Sequence, residues 1–407
     1  MTPRMDLQAA GDRDLRERLL ADHTVTSAIE RLNKKGLGEG ARRHLLATAT
    51  RLTEAMAPDV HGIIDGCRET LGVEGSLEIY VYPEPRFNAA AVKPEKGRLL
   101  MMVSSSLLEA FEPDELRFVA GHEVGHFLFD HHAIPTGALL GGKVRLPPQL
   151  ALRLFAWQRY AEISADRAGL ACAGGLEPAA RGLFKLASGL KGDRVKISIE
   201  GFLAQVGDLR REAETQDVDV QARRGDWFAT HPFSPLRLKA AELCVASEVI
   251  TPGGTSREEL EARVHELMTL MDPSYLTAKT DVAETMRRLL FAGGVAVAVA
   301  AGGPAAPEAV EALEKLLGPG ALPPELKPDV IMADLPGRIA QVKESVPPLR
   351  RAQVLRDLCV IARADGHVSD AELAVITEIA AGVEVDLSLV TCAFDRTSSE
   401  CAAQPPA

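Results

Sequence analysis

Two histidines and a glutamate stand in the order His122-Glu123-Val124-Gly125-His126. On a helix, residues four apart share a face, so both imidazoles can approach one divalent metal ion. Glu123 falls about 100° round the helix from His122, where a carboxylate can take the proton of an activated water instead of binding the metal. The flanking residues Phe118-Val119-Ala120-Gly121 and Phe127-Leu128-Phe129 are apolar nearly all round. Such a helix is buried, and buried ionisable groups are costly unless paired or metal-bound. The chemistry this favours is metal-assisted hydrolysis.

A catalytic metal takes a third protein ligand and keeps one position for water. Tyr160-Ala161-Glu162-Ile163-Ser164-Ala165-Asp166 offers two acids on one helical face. One acid could complete the ligand set while the other braces a ligand histidine from behind. His131 and His132, five and six residues after His126, do not continue its face. They read as histidines favoured by the negative end of the helix dipole.

The elements that must position these groups follow from pattern. Leu77 to Tyr82 alternates as a strand, and Arg98 to Val103 is a second apolar run, with Phe87-Asn88-Ala89-Ala90 in a loop between them. Pro113-Asp114-Glu115 opens the helix that carries His122 and His126, expected to run to about His131. Leu146-Pro147-Pro148 opens the helix of Glu162, which ends at Gly174-Gly175. The Gly-rich stretch Thr136 to Gly142 between them reads as a surface loop. Residues 1–72 read as two or three helices closed near Gly72. Thr251-Pro252-Gly253-Gly254 is the best linker, with capping-box spacing from Ser256 to Glu259 beyond it. The fold expected is α+β, predominantly helical.

The chain has 407 residues, enough for two or three domains, and 57 acidic against 46 basic residues for a net charge of −11. No basic run accompanies that charge, so nucleic acid is not expected as a partner. Six scattered cysteines without a CxxC pair suit isolated thiols in a reducing compartment. The first twenty residues lack the apolar core of a signal peptide, so a cytoplasmic location is expected. Leu289 to Pro307 carries no charge, but its Ala, Gly and Pro make a poor membrane span, and a buried helix followed by a loop is expected.

Residues 70–240 resemble the HtpX-like and CAAX-prenyl-protease type of zinc metallopeptidase, a gluzincin pattern of HExxH followed by ExxxD. The resemblance is carried, in order, by Asn88-Ala89, Leu99 to Glu115, HEVGH, Glu162 with Asp166, and Thr230-His231-Pro232 leading to Arg237. It implies one Zn²⁺ per chain held by His122, His126 and Glu162, with Glu123 as general base and Asp166 behind the ligands. It implies His231 as the group that stabilises the oxyanion, and Asn88, Ala89 and Arg237 as substrate-binding residues. Arg98 to Val103 would then be the edge strand on which an extended peptide pairs. The activity implied is cleavage of protein or peptide substrates.

The C-terminal third repeats one helical hairpin at an offset of 63, residues 296–316 over 359–379, with Gly318 to Pro336 between them read as extended. Ile361 and Arg363 at the first ligand positions rule out an EF-hand over 361–372. The segment resembles the tellurite-resistance TerB-like family over about 280–395. That resemblance nominates Asp365 and Glu372 as a weak second metal site, against a structural turn made by Asp365 and Gly366. The division expected is 1–72 for the N-terminal helical region of the peptidase, 73–250 for the metallopeptidase domain, 251–275 for a linker or helix, 276–396 for the TerB-like domain and 397–407 for a disordered tail. A regulatory protein partner is expected to act through the TerB-like domain. The rival reading is a non-catalytic metal-binding adaptor or stress-response protein working through that domain.

Overall fold

The computed structural model of the protein describes residues 2–36, 40–140, 148–191, 195–214, 231–268, 270–271, 275–276, 280–302, 304–318, 320–323, 325–346, 348–365 and 367–385. The expected tail from 397 lies outside them. The chain divides into two compact units, the first of residues 1–144, 153–208 and 229–268, the second of 145–152, 209–228 and 269–407. The fold is α+β and predominantly helical.

The first unit holds a four-stranded sheet of β1 (Thr50–Leu52), β2 (Ser76–Tyr82), β3 (Ala89–Glu95) and β4 (Arg98–Ser104), in spatial order β1-β2-β4-β3. β2 and β4 run parallel, Ser76 opposite Arg98, and β3 pairs antiparallel with β4, Ala91 opposite Met101. The expected edge strand Arg98 to Val103 therefore lies inside the sheet, and β3 is the edge. The loop expected over Phe87-Asn88-Ala89-Ala90 gives way to strand from Ala89, which alanine, a weak strand former, does not signal. An edge tolerates proline, here within the irregularity between Val92 and Glu95.

Among the described residues, 2–71 hold a 3₁₀ turn (Met5–Leu7), β1 and four α-helices, where two or three helices were expected: α1 (Ala10–Ala21), α2 (His23–Lys34), α3 (Ala41–Thr48) and α4 (Pro58–Leu71). α4 closes at Gly72 in the left-handed conformation, φ 67°. After α5 (Ser105–Ala110), α6 (Pro113–Leu128) starts on Pro113 inside a capping box of Glu112 and Glu115. It stops three residues short of His131. Phe129 caps it, Asp130 takes a left-handed φ of 53°, and His131–Ala133 form a 3₁₀ turn. α7 (Thr136–Leu140) occupies part of the expected loop, whose Gly141 and Gly142 lie outside the described residues.

Then come α8 (Pro148–Ala173), α9 (Leu176–Ser188), α10 (Ile199–Glu214), α11 (Ser234–Val245) and α12 (Arg257–Met268). α12 falls in the expected linker region but packs on α11 and α1, with Arg257 donating to the Gln8 carbonyl at 2.8 Å. α6 and α8 approach closely through small residues. A Cβ on Gly125 would lie 2.8 Å from Ala168 Cβ, and one on Gly169 would lie 2.6 Å from the Phe118 carbonyl oxygen.

The second unit is helical: α13 (Asp281–Ala298), α14 (Pro307–Leu317), α15 (Pro328–Ala333), α16 (Leu335–Ser345), α17 (Pro348–Ala362) and α18 (Asp370–Gly382). α13 is its central helix, packed by α14, α16, α17 and α18, with Leu289, Leu290, Val295 and Val297 buried. That explains its apolar run, and no helix among the described residues is long and apolar enough to cross a membrane. Gly318 to Pro336, expected to be extended, contains α15 and the start of α16. Pro328 and Pro336 sit in first turns, where a missing N–H costs nothing.

Candidate metal centre

α6 presents His122 and His126 one turn apart, and α8 brings Glu162 to them. One ligand atom from each lies within 4.8 Å of the others, the only such group of three among the described residues. The two Nε2 atoms are 3.1 Å apart. Glu162 Oε1 is 3.6 Å from His126 Nε2, and Oε2 is 3.4 Å from His122 Nε2. Glu162 Oε2 is buried and receives no hydrogen bond. A buried carboxylate oxygen without a donor is costly, and two facing imidazole nitrogens beside it make a set that fits one zinc ion.

The groups behind the ligands fix their orientation. His122 Nδ1 donates to Asp166 Oδ1 at 2.9 Å, and Arg237 grips Asp166 with two bonds, Nε to Oδ2 at 2.8 Å and Nη2 to Oδ1 at 2.7 Å. Burial draws His122 down, but Asp166 and Glu162 outweigh it and push it up to about 10. Burial raises Asp166, and the Arg237 charge overrides that and holds it below its ordinary value. Burial likewise raises Glu162, but His231 and His122 hold it well below the carboxylate range. Burial drives His126 well below its ordinary value. Glu162 is thus held ionised beside the two imidazoles.

Glu123 is buried on the same helix, and burial raises its carboxyl. Its Oε2 accepts the Ala91 N–H of the edge strand at 2.6 Å. His132 Nε2 donates to the Ala91 carbonyl at 3.0 Å, so this histidine is tied to β3 and not placed by the helix dipole alone. A cavity of 470 Å³ opens on His122, Glu123, His126 and Glu162, with Ala89–Ala91 along one wall. A larger cavity of 760 Å³ in the second unit is lined by Arg287, Arg288 and Arg338, paired with Glu284 and Asp334. The His122, His126 and Glu162 group lines the smaller one.

The remaining expected residues fall as follows. His231 lines the cavity, its Nε2 3.5 Å from Glu162 Oε1, and its side chain is 64% exposed. Thr230 lies outside the described residues. Ala89 lines the cavity, whereas the Asn88 amide donates to the Tyr82 hydroxyl at 2.7 Å. Arg237, grouped with the substrate residues by resemblance, is committed to Asp166. Asp365 accepts the His367 N–H, and Glu372 closes a capping box with Ser369, so both serve the turn before α18. Gly366 lies outside the described residues. What sequence reasoning missed is Asp12 on α1, fully buried, which bonds His131 at 3.0 Å. A charged residue on the buried face of an otherwise polar helix was the available signal.

Residues 54–146 and 137–244 match the model of peptidase family M48, and residues 283–390 match that of the tellurite resistance protein TerB. The chain is 29% identical over 169 residues to the plastoglobule-localized metallopeptidase 48, chloroplastic, of Arabidopsis thaliana, covering 39% of this chain and 49% of that protein. It is 37% identical over 78 residues to protease HtpX of Ectopseudomonas mendocina (19% and 26%). It is 43% identical over 49 residues to protease HtpX of Shewanella halifaxensis (12% and 17%). The matched stretch spans about half or less of these relatives' own lengths. No solved structure matches the chain.

Proposed function

With residues 54–244 a peptidase family M48 domain and residues 283–390 a TerB domain, we propose that the chain is a zinc-dependent endopeptidase acting on protein or peptide substrates. The observation that carries this reading is the convergence of His122, His126 and Glu162 on one point, with Glu123 on the same cavity. A zinc ion bound there would supply Lewis-acid chemistry and make a water acidic enough to be used near neutral pH.

The chain's own residues supply the rest. His122, His126 and Glu162 would hold the ion. Ala91 N–H occupies Glu123 Oε2, which orients the carboxylate and leaves Oε1 to accept the proton of the attacking water. Glu123 then passes that proton to the leaving amine nitrogen. His231, at the open side, donates to the developing oxyanion. The edge strand β3, with Ala89 at the cavity wall, offers a ledge for an extended substrate. The adaptor reading leaves the placement of Glu123 without a role.

We assign 1–72 and 73–250 to one peptidase, and regulation or targeting of it to the TerB domain, to which a protein partner would bind. Deleting residues from about 275 onward should change activity or partner binding. No change in either refutes this assignment. The thiols of Cys67, Cys172 and Cys244, which form no disulfide among the described residues, suit a cytoplasmic setting. For the activity, purified protein should cleave unfolded casein, lose cleavage in 1,10-phenanthroline and regain it with one equivalent of Zn²⁺. Cleavage unaffected by the chelator contradicts the proposal.

A further inference from the structure

His126 lies in the last turn of α6, where the helix no longer restrains its side chain from both directions. Its Nδ1 is 2.7 Å from His131 Nδ1, and His131 Nε2 is 3.0 Å from Asp12 Oδ2. Asp12 is 0% exposed and accepts three further bonds: Trp157 Nε1 at 2.8 Å, Ser164 Oγ at 2.7 Å and Gln8 Nε2 at 3.1 Å. An ionised carboxylate only accepts, so it fixes a proton on His131 Nε2 and leaves Nδ1 as the acceptor. His126 Nδ1 must then carry the donated hydrogen, which leaves the Nε2 lone pair for a metal. One proton per bond satisfies the whole chain from His126 through His131 to Asp12.

The same helix holds the turn that makes this geometry. Asp12 and Arg16 are one turn apart on α1, and Arg16 Nη2 donates to Asp130 Oδ2 at 2.7 Å. Asp130 is the left-handed residue that turns the chain back so that His131 meets His126. His122 is braced separately by Asp166 and Arg237. The two ligand histidines therefore have independent supports, and that of His126 runs through His131 to Asp12, which lies outside residues 54–244, the stretch matched by the peptidase model.

We propose that Asp12, acting through His131, is a positioning residue for the metal ligand His126, so that α1 completes the zinc centre. This rests on the reading of His122, His126 and Glu162 as a zinc site. The test measures Zn²⁺ affinity of the full chain by chelator competition, together with the visible spectrum of the Co²⁺-substituted protein. Loss of such outer hydrogen bonds weakens metal binding by about 10- to 100-fold.

His131→Phe keeps a ring but removes the acceptor, and should show that loss with an altered Co²⁺ spectrum. His131→Asn, whose amide oxygen can stand in for Nδ1, should recover most of the affinity. Asp12→Asn keeps the shape of the carboxylate, and should weaken zinc by a smaller factor; it decides the matter if His131→Phe does not fold. Wild-type affinity and spectrum in a folded His131→Phe or Asp12→Asn chain overturn the proposal. A wild-type chain that binds no zinc overturns the reading of the site instead.

Discussion

Gly125→Ala probes the spacing of α6 and α8, which sets the distance between two histidine ligands and Glu162. The new Cβ would lie 2.8 Å from Ala168 Cβ and 3.2 Å from Ala165 Cα. Carbon atoms pack at about 3.5–4.0 Å, so the shortfall is roughly 0.7–1.2 Å. Neither neighbour can rotate away, because one is an alanine methyl and the other is backbone. The helices must separate or tilt by about that amount. Overpacking of this kind costs about 1–3 kcal/mol, offset by up to ~1 kcal/mol from replacing a helical glycine.

The net of about 0–3 kcal/mol shifts the melting temperature by at most about 12 °C in a unit of this size. The metal centre is less forgiving, since ligand distances must hold to about 0.2 Å. Zinc affinity of Gly125→Ala, measured by competition with a chromogenic chelator, should therefore fall at least tenfold while the fold survives. Gly66→Ala on α4, where a Cβ meets nothing within 4 Å, is the control and should leave zinc binding alone. A Gly125→Ala chain with wild-type zinc affinity would refute the idea that this helix contact sets the site.

Two further outcomes follow from buried charge. Arg237→Ala leaves Asp166 buried without its two-bond partner, and should cost the first unit about 3–5 kcal/mol in urea unfolding along with weaker zinc binding. In the second unit, burial and the Asp357 carboxylate raise the Tyr275 hydroxyl well above 10, and it donates to Asp357 at 2.8 Å. The unfolded chain releases that proton near pH 10 while the folded chain keeps it, so stability falls as pH rises above about 10. Hydrogen exchange of α13 amides between about pH 10 and 11.5 should show this loss, and Tyr275→Phe should flatten it.

The parts of the site that were legible in the sequence obey helical periodicity. His122 with His126, and Glu162 with Asp166, each recur at four residues on apolar helices, and the Pro113 start followed by Asp114 and Glu115 is local chemistry. The parts that were not legible depend on tertiary pairing. β3 hides behind an alanine run and a proline that only an edge strand accepts. The position of β4 inside the sheet depends on its parallel partner β2, and local sequence does not encode that. His131 lies off the face of His126 on an ideal helix, but α6 ends at Leu128 and the left-handed Asp130 brings it back. Asp12 is more than a hundred residues from the histidine it holds. In the second unit, the long uncharged run is explained by the burial of most of α13 from Leu289 to Ala298 against α14, α16, α17 and α18.

The most direct test of the peptidase mechanism is one paired measurement on Glu123→Gln: zinc content by mass spectrometry and cleavage of unfolded casein in the same sample. Glutamine keeps the size of Glu123 and still accepts the Ala91 N–H, but it cannot take a proton from water. The expected result is one zinc per chain and cleavage reduced by at least about a thousandfold. Substantial cleavage by the zinc-loaded variant would contradict the account.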